Sequence, residues 1–380
     1  MNVAMIGWEY PPQFSGGLGI HCQAITHGLT NLGISINFYL PCFHINTFEI
    51  PDGMKLYQVM LEHSVNNNSY LGSTMWDMVI KFQQQLESIF QPDGIDLIHA
   101  HDWMGILAVT PIVQKYKIPL IWTVHSTEYD RAAGMPIHPA IYAVEREALE
   151  MVKHTIVVSN KTKQILLDKY DADSKHITTI YNGIDFEKYK KIADRDYEKT
   201  DGYILFLGRI TGQKAPDIFL EAAKLVIAEQ KNVHFMMVGE GDLLHKLKML
   251  AQRWKIDKNV TFTGGIFGEQ LLSCYQNALL YVLPSRSEPF GITVLEAMAA
   301  GIPSIISSTT GVGEIVNNVY IVEPEQPTKL AHAMLTLLND SAQRKYLGQQ
   351  GYQEAQKWSW TRVAKRTSLL YQTTKNDLSK

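Results

Sequence analysis

Cysteine is scarce in this chain. Cys22, Cys42 and Cys274 are the only three among 380 residues, an odd number, widely spaced. Neither a disulfide framework nor a thiolate metal set is encoded, and a reducing compartment is expected. A long apolar run is also missing, since nothing approaches the ~18 residues of a membrane helix. The apolar start Met1–Trp8 is cut short by Glu9 and Pro11-Pro12, which makes it a first strand rather than a secretion signal. The expected location is cytoplasmic, where the sequons at Asn67 and Asn160 carry no consequence. An excess of positive charge is absent as well: 35 Lys and Arg stand against 38 Asp and Glu. That excludes a general nucleic-acid binder, which needs a basic face. The segment Phe43–Gln91 holds only Lys55 and Lys81 as cations, which tells against docking on anionic lipid.

What the chain does contain is alternation. Hydrophobic residues make up 46% and charged residues 19%, the balance of a globular protein, and the length suits two domains. Strands are expected at Val3–Gly7, Ser35–Leu40, Leu97–Ala100, Leu120–Val124, Thr155–Val158 and His176–Ile180. Helical stretches such as His21–Leu32, Gly105–Lys115 and Lys161–Tyr170 fall between them. Phe43–Gln91 fits this pattern poorly, and Asn66-Asn67-Asn68 reads as an exposed loop. The alternation breaks at Tyr181-Asn182-Gly183-Ile184-Asp185, and the charged run Glu187–Asp201 reads as an interdomain linker. A second series follows, with strands at Tyr203–Leu207, Val233–Val238, Val260–Thr263, Leu279–Leu283, Ser304–Ile306 and Val319–Ile321. The predicted fold class is α/β, with two doubly wound, Rossmann-like domains facing each other across a cleft. They span residues 1–185 and 186–359, and a last helix, 360–380, returns to the first.

Ligands of such sheets bind beyond the carboxyl ends of the strands, and the distinctive motifs sit there. The richest is Ser287-Glu288-Pro289-Phe290-Gly291-Ile292-Thr293-Val294-Leu295-Glu296, where two carboxylates bracket seven residues at a strand-to-helix junction. A helix N-terminus attracts phosphate and carboxylates accept from hydroxyls, so the pair suits a nucleotide sugar. Arg209 and Lys214 stand five positions apart after another strand, placed to converge on a diphosphate. The loop Gly16-Gly17-Leu18-Gly19 lacks the third glycine of a dinucleotide fingerprint. Gly239 and Phe267 lie in turns that could border a nucleotide. His99-Ala100-His101-Asp102 and Thr123-Val124-His125 end adjacent strands. His99 reads as a core histidine and His125 as facing the ligand. A metal set of His99, His101 and His125 lacks a further ligand at motif-like spacing, so no metal is expected. Asp171-Ala172-Asp173 follows a helix, where solvated turn carboxylates are the expected reading.

Taken in this order, the motifs resemble the retaining glycosyltransferases of family 4 and the related glycogen and starch synthases, which share the GT-B fold. The resemblance covers nearly the whole chain. It implies a nucleotide-sugar donor as substrate, with no separate cofactor, held mainly by the C-terminal half. Arg209 and Lys214 would neutralise the leaving diphosphate. Glu288 and the backbone around Phe290, Gly291, Ile292 and Thr293 would take the sugar, and Glu296 the ribose. Gly16 and Gly17 would let a loop approach the phosphates, and Asp102 and His125 would lie on the acceptor side. Trp8-Glu9-Tyr10-Pro11-Pro12 and His101-Asp102-Trp103 are similar to prokaryotic glycogen synthases. One departure stands out: where that pattern has a lysine two residues before Gly-Gly-Leu, this chain has Phe14. The resemblance implies transfer of glucose from ADP- or UDP-glucose to an α-1,4-glucan, while the departure at Phe14 motivates a different acceptor. The alternatives are a different acceptor, such as a lipid, a sugar phosphate or a polysaccharide precursor, and a nucleotide-sugar epimerase. Nothing in the sequence sets the oligomeric state.

Overall fold

A computed structural model describes residues 1–13, 16–61 and 73–377. Phe14 and the asparagine run at 66–68 lie outside those residues. The chain divides into two compact units, one of Met1–Asn182 with Trp360–Lys380 and one of Gly183–Ser359.

The first unit runs β1 (Asn2–Ile6), α1 (Gly17–Thr30), β2 (Ser35–Cys42), β3 (Met54–Met60), α2 (Ser73–Ile89), β4 (Leu97–His101), α3 (Asp102–Tyr116), β5 (Leu120–Val124), α4 (Glu128–Ala132), α5 (Pro139–Met151), β6 (His154–Val157), α6 (Asn160–Tyr170) and β7 (Ile177–Thr179). Its strands pair in the order β3-β2-β1-β4-β5-β6-β7, all parallel. Because helices cover both faces, the central strands are buried on both sides. That is why Val3–Ile6 and Leu120–Val124 are unbroken apolar runs. Strand β3 and helix α2 are the elements that the sequence reading passed over. Helix α2 nevertheless carries a signal: Met75, Val79, Phe82 and Leu86 recur at helical spacing and all are buried. Strand β3 is an edge strand with mixed burial, which is why its pattern is weak.

The second unit runs α7 (Phe186–Lys190), β8 (Tyr203–Leu207), α8 (Pro216–Glu229), β9 (His234–Val238), α9 (Leu244–Arg253), β10 (Val260–Gly264), α10 (Gly268–Gln276), β11 (Ala278–Leu283), α11 (Ile292–Ala299), β12 (Ser304–Ser307), β13 (Tyr320–Val322), α12 (Pro327–Asn339) and α13 (Ser341–Ala355). Its parallel sheet has the order β10-β9-β8-β11-β12-β13. The expected linker belongs to this unit: most of Glu187–Asp201 is exposed, but its aromatic residues and Arg195 anchor it there. Tyr189 is buried edge-on to Tyr275 at 5.5 Å, the Arg195 guanidinium donates to the Tyr275 carbonyl at 3.2 Å, and the Tyr197 hydroxyl donates to the Gly301 carbonyl at 2.9 Å. The charges of this run hid the aromatic residues that bury it.

After Ser359 the chain rejoins the first unit as α14 (Trp360–Asp377). It packs on α1 so closely that a Cβ on Gly28 would meet the Cβ of Ala364 at 2.5 Å. Tyr371 is fully buried there, 2.5 Å through its hydroxyl from His99 Nδ1, while His99 Nε2 meets Thr123 Oγ1 at 2.6 Å. His99 is thus the core histidine that the sequence implied. No helix among the described residues is long and apolar enough to cross a membrane.

Candidate active site

In a doubly wound sheet the two strands that flank the reversal of connection open a crevice at their carboxyl ends. In the second unit these are β8 and β11. Arg209 and Lys214 follow β8, and Glu288 follows β11. Lys214 ends a single 3-10 turn, Gly212–Lys214, and its ammonium donates to Glu288 Oε2 in a short ion pair with little exposure on either side. Ser285 Oγ donates to the same carboxylate oxygen at 3.3 Å. Arg209 Nη2 donates to Gln213 Oε1 at 3.1 Å. The cations and the first acid of the sequence motif therefore gather at one corner of this unit.

The loop that carries Glu288 is stitched on both sides. Its carbonyl accepts from Gly311 N at 2.8 Å, and the Phe290 carbonyl accepts from Val312 N at 2.7 Å. Gly291 has φ 97°, the left-handed region, where a side chain would be strained. From there Ile292 starts α11, and Thr293 Oγ1 accepts from the Tyr281 hydroxyl at 2.7 Å. Glu296, further along α11, is buried. Burial pushes its pKa up, and hydrogen bonds from Tyr275, at 2.6 Å, and Tyr189 counter this. Its partners were not foreseen from sequence. Gly239 follows β9 with φ 144°, and a Cβ there would sit 1.9 Å from the Gly208 carbonyl oxygen, so only glycine lets these two strand ends meet. Phe267 is the half-exposed N-cap residue of α10, after β10. All these residues lie beyond the carboxyl ends of β10, β9, β8 and β11.

Arg286 was missed by sequence reasoning. It donates to both carboxylate oxygens of Asp217, at 2.9 and 2.7 Å, and to the Gly212 carbonyl at 2.8 Å, and it pairs with Glu325. Its backbone N–H donates to the Gln213 carbonyl at 2.9 Å. Burial would raise the Asp217 pKa, but the guanidinium overcomes it and holds the carboxyl below its ordinary value. Arg286 thus ties the Lys214 turn to the Glu288 loop. Arg286→Ala is expected to lower kcat/KM about tenfold, roughly one charge-assisted hydrogen bond discounted for partial exposure. Asp217→Asn should reproduce most of the loss, and the double variant should add little to it. Additive losses in initial-rate kinetics would count against the tie.

In the first unit the reversal lies between β1 and β4. Gly16 and Gly17 open α1 after β1, with Gly16 as the N-cap. Gly19 N donates to Glu9 Oε2 at 3.1 Å. Asp102 follows β4 with φ 53°, unusual for a residue with a side chain. Its Oδ1 accepts from the backbone N–H groups of His125 and Ser126, at 2.7 and 3.3 Å. Asp102 therefore has a structural task, holding the loop after β5, that the motif reading did not include. Burial pushes its pKa up to about 7, against the pull of Arg131 and the two backbone donors. His125 Nε2 lies 3.0 Å from His101 Nδ1. His21, from α1, completes the cluster: its ring meets that of His125 edge-on at 4.4 Å, and its Nδ1 is 2.8 Å from Asn182 Oδ1. No spacing rule reveals His21, because the sheet order is what brings it to His125.

Beside them lies a buried charge network. Arg131 pairs with Glu128 at 3.1 Å and with Glu145, and donates to the Ser126 carbonyl at 2.7 Å. Glu145 also accepts from Glu128 N at 2.9 Å and from the Tyr170 hydroxyl. Asp171 and Asp173, by contrast, cap α6 and the short turn after it, as expected of turn carboxylates.

Burial lowers the pKa of four imidazoles: His21 to about 4, His99 to about 3, and His101 and His125 well below the usual 6.5. Each binds its proton readily only in the unfolded chain. Their stabilisation is complete above pH 6.5 and is lost as pH falls toward the folded values. At pH 5.5, about one unit below the ordinary value, each imidazole kept neutral costs on the order of 1 kcal/mol. Asp102 acts oppositely: its raised pKa returns about 2 kcal/mol as pH falls through 7. Urea unfolding should therefore show a net loss of stability, on the order of a few kcal/mol, between pH 7.5 and 5.5. A flat profile would contradict this assignment of buried, neutral imidazoles.

The fold and the grouped motifs are those of a sugar-transferring enzyme, and comparison with known proteins agrees. The family model "Glycosyltransferase Family 4" matches residues 15–188, and "Glycosyl transferases group 1" matches 187–354. An uncharacterized glycosyltransferase of Methanocaldococcus jannaschii is 30% identical over 391 residues, covering 98% of each chain. The chain is a glycosyltransferase and belongs to this family. A glycogen synthase of Mycobacterium tuberculosis is 26% identical, over 98% of this chain and 94% of its own. A D-inositol 3-phosphate glycosyltransferase of Catenulispora acidiphila is 24% identical, over 96% and 91%. Among solved structures, sucrose-phosphate synthase of Thermosynechococcus elongatus superposes with a TM-score of 0.83 at 21% identity, over 98% of both chains. The Anabaena protein HepE, in complex with UDP-glucose, gives 0.75 at 16% identity, over 98% of this chain and 100% of its own. These two likenesses establish the two-domain α/β fold.

Proposed function

We propose that this enzyme transfers glucose, with retention of anomeric configuration, from ADP- or UDP-glucose to an α-1,4-glucan. The observation that carries the reading is the meeting of Lys214 and Glu288 where β8 and β11 diverge. An ammonium and a carboxylate at that place match the two halves of an activated sugar. Lys214 and Arg209 take the diphosphate, where negative charge grows as the glycosidic bond breaks. Glu288 accepts from the hexose hydroxyls, the N–H groups that open α11 bind the donor, and Glu296 serves the ribose. Gly239 and Phe267 border the nucleotide, Gly16 and Gly17 approach its phosphates, and His125 and Asp102 serve the acceptor side. No metal takes part in transfer. The glycogen synthase relative supports the glucan acceptor.

The test is incubation with radiolabelled ADP-glucose or UDP-glucose and a glycogen primer. Label should appear in polymer that amylase digests. Failure of both donors to label glycogen would reject the glucan reading. The inositol phosphate transferase relative favours a second reading, in which the acceptor is a small sugar phosphate. Label recovered in a small anionic product, with none in polymer, would select it.

A further inference from the structure

We propose that His21, His101 and His125 bind one divalent transition ion of the Zn2+ class, and that this ion inhibits transfer rather than assisting it. One ring nitrogen from each histidine lies within 4.8 Å of the other two. His21 lies in the first turns of α1 after β1, His101 ends β4 and His125 directly follows β5, and β1, β4 and β5 are neighbouring strands of one sheet. Tetrahedral zinc with Zn–N near 2.0–2.1 Å sets its ligand atoms about 3.3 Å apart. His101 Nδ1 and His125 Nε2 are already 3.0 Å apart, so small side-chain rotations close the set.

Two further observations point to a ligand. The Nδ1–H of His21 donates to the side-chain oxygen Oδ1 of Asn182 at 2.8 Å. That bond fixes the tautomer and leaves the lone pair on Nε2, as the outer partners of metal-binding histidines do. His101 is fully buried, and its Nε2 has no hydrogen-bond partner among the described residues. The His101–His125 contact holds one shared proton between two imidazole nitrogens, and an ion placed between those nitrogens would take its place. His99 is nearby, but both its nitrogens are taken by Tyr371 and Thr123. The set is therefore three imidazoles with a fourth position open, on the side of the half-buried His125. An all-nitrogen set selects zinc, copper, nickel or cobalt over magnesium, calcium and manganese.

The inhibitory half rests on the proposed function, because an ion here takes the imidazole of His125 away from the acceptor side. The binding half does not depend on it. The test begins with chelator-treated protein titrated with Co2+, whose absorption bands report tetrahedral nitrogen ligation, followed by displacement with Zn2+. One equivalent should bind per chain, and zinc-edge absorption should show imidazole scatterers without sulfur. His21→Gln should weaken binding at least tenfold. No spectral change at a hundredfold excess of ion would overturn the site, as would sulfur ligation or unaltered binding in His21→Gln. The wild-type spectra alone decide the matter if that variant fails to fold. In a parallel assay of nucleotide release, Zn2+ should inhibit with the same midpoint as it binds, and Mg2+ should not. Stoichiometric zinc binding with full activity would refute the inhibitory half and the placing of His125, leaving the site itself standing.

Discussion

Replacing Lys214 by alanine is expected to slow transfer by about 10²–10³-fold, equivalent to about 2.7–4 kcal/mol for a lost transition-state contact. The expectation follows from position. The lysine sits at the end of a single turn after β8, with its ammonium on the carboxylate of Glu288 and its stem almost covered. It is held in place before substrate arrives, so no reorganisation is needed when charge moves onto the leaving phosphate. The variant has a second cost, because it leaves the Glu288 carboxylate buried without its cation. A double-mutant cycle separates the two. Lys214→Ala and Glu288→Gln touch one interaction, so the double variant should fall well short of the product of the single losses. Initial-rate kinetics at saturating donor give kcat for all four proteins. A Lys214→Ala enzyme within threefold of wild type would remove the lysine from the mechanism.

The second large effect is on stability. Arg131→Ala should cost about 3–5 kcal/mol, the range for breaking a buried ion pair from one side. The guanidinium is enclosed between Glu128 and Glu145, of which Glu145 has no exposure at all. Its removal leaves two buried carboxylates and an unpaired Ser126 carbonyl. For a unit of about 200 residues the midpoint of thermal unfolding should drop by roughly 8–15 °C, at a few degrees per kcal/mol. Replacing Arg131, Glu128 and Glu145 together by apolar residues of similar volume should recover much of this, because the gross cost is desolvation of unpaired charge. A shift below about 2 °C in Arg131→Ala would show that the network is dispensable.

Much of the architecture was legible because burial on both faces writes strands as apolar runs, as in Val3–Ile6 and Leu279–Leu283. The ends of those strands are where sheets of this kind take ligands, so Arg209, Lys214 and Glu288 could be grouped before the Lys214–Glu288 contact was seen. Their pairing could not be, since it depends on β8 and β11 lying side by side although 70 residues of chain separate them. Three other features were hidden for related reasons. Glu128 and Arg131 look like a surface i,i+3 pair, and only the tertiary partner Glu145 shows that they are buried. His21 reads as one polar residue in an apolar helix until the sheet order brings it to His125. Asp102 looked like a substrate ligand by motif, yet its oxygen accepts from the next strand's loop, a contact set by backbone geometry that no side-chain pattern encodes.

If the corner formed by Arg209, Lys214 and Glu288 takes the diphosphate of an activated hexose, nucleotide affinity must depend on its two cations. Calorimetric titration of ADP and UDP into the wild type and into the double variant Arg209→Met/Lys214→Met measures that dependence. One nucleotide should bind per wild-type chain, with affinity at least tenfold weaker in the variant and unchanged thermal unfolding of the ligand-free first unit. Equal affinity in the two proteins, or no nucleotide binding by the wild type, would contradict it.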